Sequence, residues 1–226
     1  MQALSLAMAA MALLTRTPAQ AQSGVVDEGT FMITRAGAPV GRESFRIIRS
    51  AGAGGQVFRA VSQSAIGDRR MTTTLATDSL GAPVFYEATT TQRGRQPELL
   101  RGRGRPDRFS AMVQTQGGES SREYLIEGAT ILLDDDIFHQ FFFAGLALDS
   151  TLRVISPRTA RSERVRVIRE APQALVIGDQ TITALHFAFA DSSGTRREVW
   201  LDPRGRVLKV SAPDKALVAL RDDPPR

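Results

Sequence analysis

The sequence predicts a mainly β protein, built as a single curved antiparallel sheet or partly open barrel with one central apolar helix near 135–148. Three observations predict it. Short segments in which apolar and polar residues alternate with period two run through almost the whole chain. Their separators, among them AGAP, GDRR, LGAP, SSG and PRG, are tight-turn combinations. Neither a βαβ rhythm nor a repeat with a period of about 20–50 residues appears, which argues against a parallel sheet and against a solenoid.

The chain opens with a leader. Leu4 to Leu14 form a short apolar run, followed by Pro18 and the small-x-small triplet Ala19-Gln20-Ala21. That order predicts a signal peptide over 1–22, cleaved near Ala21 or Gln22, and a periplasmic or secreted product. The run is too short to cross about 30 Å of hydrocarbon, so no transmembrane anchor is expected. The chain has no cysteine, so an exported product must rely on its core without disulfides. Residues 23–220 suit one antiparallel β domain. The last six, RDDPPR (221–226), carry adjacent prolines and are expected to form a flexible tail.

Strands follow one another at short spacing. Phe31, Ile33 and Arg35 alternate with Met32 and Thr34, AGAP turns, and VGRESFRIIRS returns as a hairpin. QVFRAVSQSAI, MTTTLATDS and VFYEATTTQ are rich in Val, Thr and aromatic residues, which suit a pleated surface. DRFSAMVQTQ and SREYLIEG, joined at GGE, give another hairpin. TLRVIS, RVRVIRE, ALVIGD, TITALHFAFAD, REVWLD and RVLKVSA complete the set. Within TITALHFAFAD, Leu185, Phe187 and Phe189 share one face, and Ala184, His186, Ala188 and Ala190 the other.

Charge says little about partners. The chain has 29 basic and 24 acidic residues, a net +5; removing the leader removes only Arg16 and leaves 28 minus 24, or +4. The densest basic segment is RGRQPELLRGRGRPDR (93–108), where Arg101, Arg103 and Arg105 alternate with glycine. No aromatic residue for base stacking interleaves them, so no nucleic acid is expected and the segment reads as a solvated loop or a charged edge strand.

The stretch DDDIFHQFFFAGLAL (134–148) offers the most chemistry. Asp135 and His139 lie four residues apart and would share a helical face, but two ligands do not make a metal site. The reading preferred is that Asp134 or Asp135 caps a helix and the other acids favour its positive end. Ile137, Phe138, Phe141, Phe142, Gly145 and Leu148 then form one broad apolar face, which buries against a curved sheet as a plug. No G-x-S-x-G elbow or H-E-x-x-H helix occurs, so neither enzyme activity nor a cofactor is expected.

The C-terminal REVWLDPRGRVLKVSAPDKALVALRDD resembles the closing segment of uncharacterised bacterial exported β-sheet proteins, matching at Trp200, Leu201, Asp202, Gly205, Val207 and Lys209. TFMITRAGAPVGRESFRI is similar to the first hairpin of the same family, and ILLDDDIFHQF to its acidic-then-aromatic helix start. The resemblance implies a secreted, curved, partly closed antiparallel sheet, reminiscent of periplasmic lipoprotein-carrier folds, with no catalytic residues to carry over.

The leading expectation is an exported, non-enzymatic domain of the bacterial envelope that binds a lipid or other hydrophobic or amphipathic ligand through Phe138, Phe141, Phe142 and Trp200. One alternative is a structural or protein-interaction module of the envelope without a small ligand. Another is a hydrolase whose catalytic residues are dispersed in sequence.

Overall fold

The computed structural model describes residues 23–52, 55–148 and 151–226; the expected signal peptide lies outside them. Eight strands form a continuous antiparallel meander: β1 (Gly24–Arg35), β2 (Ala38–Gly52), β3 (Gly55–Ile66), β4 (Arg69–Thr77), β5 (Pro83–Gln92), β6 (Glu98–Gly104), β7 (Arg108–Thr115) and β8 (Gly118–Leu125). A short strand β9 (Thr130–Leu132) leads through the acidic-aromatic stretch into the helix α1 (Phe141–Leu146). The second set comprises β10 (Thr151–Ser156), β11 (Arg161–Arg169), β12 (Gln173–Ile177), β13 (Gln180–Ala190), β14 (Arg196–Leu201), β15 (Val207–Ala212) and β16 (Leu217–Arg221).

Strand β16 pairs antiparallel with β1, which joins the two sets into one sheet of order β8-β7-β6-β5-β4-β3-β2-β1-β16-β15-β14-β13-β11-β10-β9. β12 pairs with β13 off that path, and β9 pairs with β10 in parallel. The two end strands, β8 and β9, are not neighbours in the ladder, so the sheet is curved but not closed. One face nonetheless wraps a common core. Phe31, Phe45, Phe58, Leu75, Tyr86, Leu100, Phe109 and Tyr124 from the first set join Leu152, Val154, Phe187, Phe189 and Val199 from the second, with Phe138, Phe141, Phe142 and Phe143 among them. Alternation produces this arrangement: every second residue of each strand points inward, and burying those side chains drives the sheet around the helix.

Turn chemistry sets the corners. Asp78, Asp191 and Asp202 each begin an Asp-x-x-Gly turn, and in each the carboxylate Oδ1 accepts the backbone N–H groups two and four residues on, at 2.8–2.9 Å. The glycines, Gly81, Gly194 and Gly205, have φ of 87°, 86° and 79°, a region costly for residues with a Cβ. The W-L-D-x-x-G pattern at 200–205 is therefore a self-capped hairpin turn.

Three expectations need correction. The helix spans six residues rather than 135–148, and its N-cap is Gln140 with no side-chain cap hydrogen bond, so Asp134 and Asp135 do not cap it. Their carboxylates find stronger partners elsewhere in the fold. The basic segment is not an edge: residues 93–97 and 105–107 are loop, but 98–104 between them form β6, an interior strand paired with β5 and β7. Its arginines point outward, and glycine occupies position 102 because a Cβ there would lie 2.2 Å from the Phe109 ring. Finally Arg221, assigned to the tail, ends β16 and is buried against Asp27, its two terminal nitrogens 3.0 and 2.8 Å from the two carboxylate oxygens. Burial lifts the Asp27 carboxyl above its ordinary value despite that guanidinium. Among the described residues no helix is long and apolar enough to cross a membrane, which says nothing of strands.

Candidate functional site

The three aspartates before the phenylalanines make two clasps, one at Asp134 and one shared by Asp135 and Asp136 through Lys215. Asp134 is buried and accepts the Tyr86 hydroxyl at 2.6 Å and two Arg158 nitrogens at 3.0 and 2.8 Å. Arg158, in the turn after β10, also donates to Thr90 at 2.8 Å and pairs with Glu98, so it spans from one end of the sheet to strands β5 and β6. Burial opposes its charge, yet Asp134, Tyr86 and Glu98 together raise its pKa above the ordinary value. Burial and the neighbouring Asp134 charge push the Tyr86 phenol well above its ordinary range. Asp135 meets Lys215 at 3.1 Å, and Asp136 meets Lys215 at 3.3 Å and Arg69 at 3.1 Å. Asp136 sits at φ 66°, in the left-handed region that aspartate tolerates better than most residues.

A second buried pair holds the turn into the helix. Glu43 of β2 accepts the Phe138 N–H at 2.7 Å and lies 2.5 Å from His139 Nδ1, both side chains being 0% exposed. The His139 ring stacks on Phe45 at 5.7 Å, and its Nε2 has no hydrogen-bond partner. A histidine oriented by a carboxylate has the form of a general base. Among the described residues nothing hydrogen-bonds to Nε2, and the two contacts of Glu43 anchor the turn.

Against the acidic turn lies a cavity of about 100 Å³. Its floor is apolar, formed by Ile137, Phe138, Phe141, Val154, Val165, Phe189 and Val210. Its mouth is charged, formed by the Asp134–Asp136 turn with Arg161, Glu163, Asp191, Arg197 and Lys215. Strand β11 carries the gradient by itself. Arg161, Glu163 and Val165 occupy alternate positions of one face and run from exposed through half-buried to buried. Burial, then the Asp191 charge, raises the Glu163 carboxyl above its ordinary value. Asp191 goes the other way. Burial opposes its charge, but hydrogen bonds from Ser193 and Thr195 hold it below its ordinary value.

Phe138 and Phe141 are brought together on the cavity floor. Phe142 is buried beside them but packs edge-on to Phe58 and Phe143 at 5.8 and 5.5 Å and does not line the cavity. Trp200 belongs elsewhere. It stacks on His186 at 4.4 Å, lies under Lys209 Nζ at 4.3 Å and donates to Gln173 at 2.8 Å, within a smaller cluster with Ile177, Ala184 and Leu208. Trp200 pairs directly with His186, whose side chain points away from Phe187 and Phe189, so the indole lies on the face opposite the main core. Asp135 and His139 are likewise not gathered, one at the mouth and one beneath Glu43. Among the described residues no three His, Cys, Asp or Glu side chains come together as a metal site. The residues that the sequence reading missed are Arg161 and Glu163; their signal is the R-x-E-x-V pattern, charge giving way to apolar character at alternate positions.

The chain aligns over most of its length with solved structures, two of which follow. One is a β-barrel-like protein of the domain of unknown function DUF1849 from Brucella abortus, at 11% identity and a TM-score of 0.49, covering 88% of this chain and 96% of the other. The other is a DUF1089 family protein from Pseudomonas aeruginosa, at 10% identity and a TM-score of 0.38, covering 89% of this chain and 95% of the other. No protein-family model matches the chain, and no curated protein does.

Proposed function

We propose that this is an exported, non-enzymatic domain of the bacterial envelope that binds an amphipathic ligand at the cavity between the Asp134–Phe141 segment and strands β10, β11, β13 and β15. The observation that carries this reading is the cavity's polarity: aromatic and aliphatic side chains below, charged side chains at the rim, with the gradient built into single strands. Ligand sites combine an apolar lining with a few placed polar groups in this way. Export rests on the apolar run and the small-x-small triplet ahead of residue 22.

The volume argues for a limited hold. Pockets that enclose a drug-sized molecule measure about 300–1,000 Å³, whereas about 100 Å³ takes only a few carbons of a chain. The same small volume favours the second reading, an interaction module of the envelope with a packed interior. A fluorescent fatty-acid analogue separates the two. Micromolar binding, about −8 kcal/mol, that is unaffected by Arg103→Ala on the outer face of β6 supports the ligand reading. Absence of binding, together with no lipid co-purifying in native mass spectrometry of the envelope-derived protein, favours the module.

A further inference from the structure

The rim of the cavity is mostly self-neutralised. Lys215 is shared between Asp135 and Asp136, Arg69 adds to Asp136, Arg197 pairs with Asp214, and Asp134 is held by Arg158. The Asp191 carboxylate is occupied by the N–H groups of Ser193 and Thr195 and by the Ser193 hydroxyl. Two charges on the rim remain unpaired among the described residues: Arg161 and Glu163. They lie two apart on β11, so both project from the same face, directly above Val165 on the cavity floor. Neither is satisfied by the other as an ion pair, and the half-buried Glu163 carries the charge that is harder to keep in that position.

We infer that the mouth recognises a zwitterionic head group, an anionic phosphate or carboxylate set against Arg161 and a protonated amine set against Glu163, on a single-chain amphiphile whose first carbons enter over Val165, Phe141 and Phe189. This inference rests on the ligand reading above and specifies its ligand class. The fork of Arg161 suits a phosphate, which it can engage with two parallel N–H bonds. An ammonium beside Glu163 supplies a charge partner that the described residues do not. A purely anionic amphiphile leaves Glu163 facing a like charge. A purely cationic one leaves Arg161 unused.

The test uses the full mature chain and amphiphiles of one acyl length, each below its micelle concentration, competing against the fluorescent fatty-acid analogue. The probes are lysophosphatidylethanolamine, lysophosphatidic acid, a monoacylglycerol and, without a chain, glycerophosphoethanolamine. The zwitterionic lysolipid should bind at least about tenfold more tightly than the monoacylglycerol, about 1.4 kcal/mol. Arg161→Ala should bring those two within about twofold, and Glu163→Gln should abolish the preference for the zwitterionic over the anionic lysolipid. Both side chains lie at the rim, and unchanged melting curves of the variants would exclude unfolding as the cause. Equal binding of all three chain-bearing probes overturns the head-group inference while leaving the cavity reading intact. Binding of none of them overturns the cavity reading itself. Glycerophosphoethanolamine competing as well as the lysolipid overturns both, because the apolar floor would then contribute nothing.

Discussion

Glu43 offers the sharpest test of how the aromatic turn is held. Its carboxylate is the acceptor for two donors sealed from water, the Phe138 N–H at 2.7 Å and His139 Nδ1 at 2.5 Å. Glu43→Ala leaves both without a partner. Each buried orphan costs about 1–3 kcal/mol, and breaking a buried pair from one side costs about 3–5 kcal/mol. A loss of about 4 kcal/mol is expected, a large share of a typical stability of about 5–15 kcal/mol. Glu43→Gln keeps one oxygen for the Phe138 N–H and should cost less, about 1–3 kcal/mol. The double change Glu43→Leu/His139→Phe removes donor and acceptor together and should cost less than the alanine variant alone, since replacing a whole buried pair with apolar groups is often neutral. Urea unfolding followed by both circular dichroism and the fluorescence of the single Trp200 reads these values, provided the two probes coincide. A cost below about 1 kcal/mol for Glu43→Ala, or a double variant worse than the single, refutes the anchoring role.

Phe141→Ala removes a ring that is 7% exposed and meets Phe189 edge-on at 5.8 Å, and should cost about 3–5 kcal/mol in the same assay. Less than about 1 kcal/mol would make the helix peripheral to the core. Both tyrosines, Tyr86 and Tyr124, are raised above the ordinary value of 10.0, Tyr86 well above it, and both chiefly by burial. The folded state therefore holds phenolic protons that the unfolded chain releases, and stability should fall as pH rises above 10. Tyrosinate absorbance should appear together with unfolding; half-ionised tyrosine in the native protein at pH 10 would contradict this. Gly81→Ala and Gly205→Ala both place a Cβ at positive φ, at a cost of about 1–2 kcal/mol. Only at Gly81 would the Cβ lie 2.9 Å from the Phe143 carbonyl oxygen, while nothing lies within 4 Å at Gly205. Gly81→Ala should therefore lower the urea midpoint more, and equal shifts would mean that the helix adapts freely.

The strands were legible because their causes are local. Alternation and turn residues act within a few positions, so the β1–β2 hairpin, the Phe187/Phe189 face of β13 and the Asp202–Gly205 turn follow from neighbours in the chain. The acidic triplet was not legible for the same reason in reverse. Capping is a local rule, but the Asp134 carboxylate is held by Tyr86 and Arg158, 48 and 24 positions away, and His139 by Glu43, 96 positions away. Nothing within a helical turn of Asp134 announces those partners. The R-G-R-G-R segment did carry a readable sign, since glycine at alternate positions of a strand marks the close approach of another group. The opposite placement of Trp200 depended on register: only the direct pairing with His186 puts the indole on the far face.

The long-range pairs also account for how an unclosed sheet keeps its shape. An open ladder leaves two edges, and edges are where sheets mispair. The β8 edge carries Glu119, Arg122 and Glu123, while β9 is three residues long and buried. No ladder joins them. Instead Arg158 reaches from the turn after β10 to Asp134 on one side and to Thr90 and Glu98 on the other, and the Tyr86 hydroxyl donates to Asp134 Oδ2, which also accepts from Arg158 Nη2. Side chains thus do across the interior what backbone hydrogen bonds do in a closed barrel. The cavity lies against this clasp, since Asp134, Ser156 and Thr159 line it.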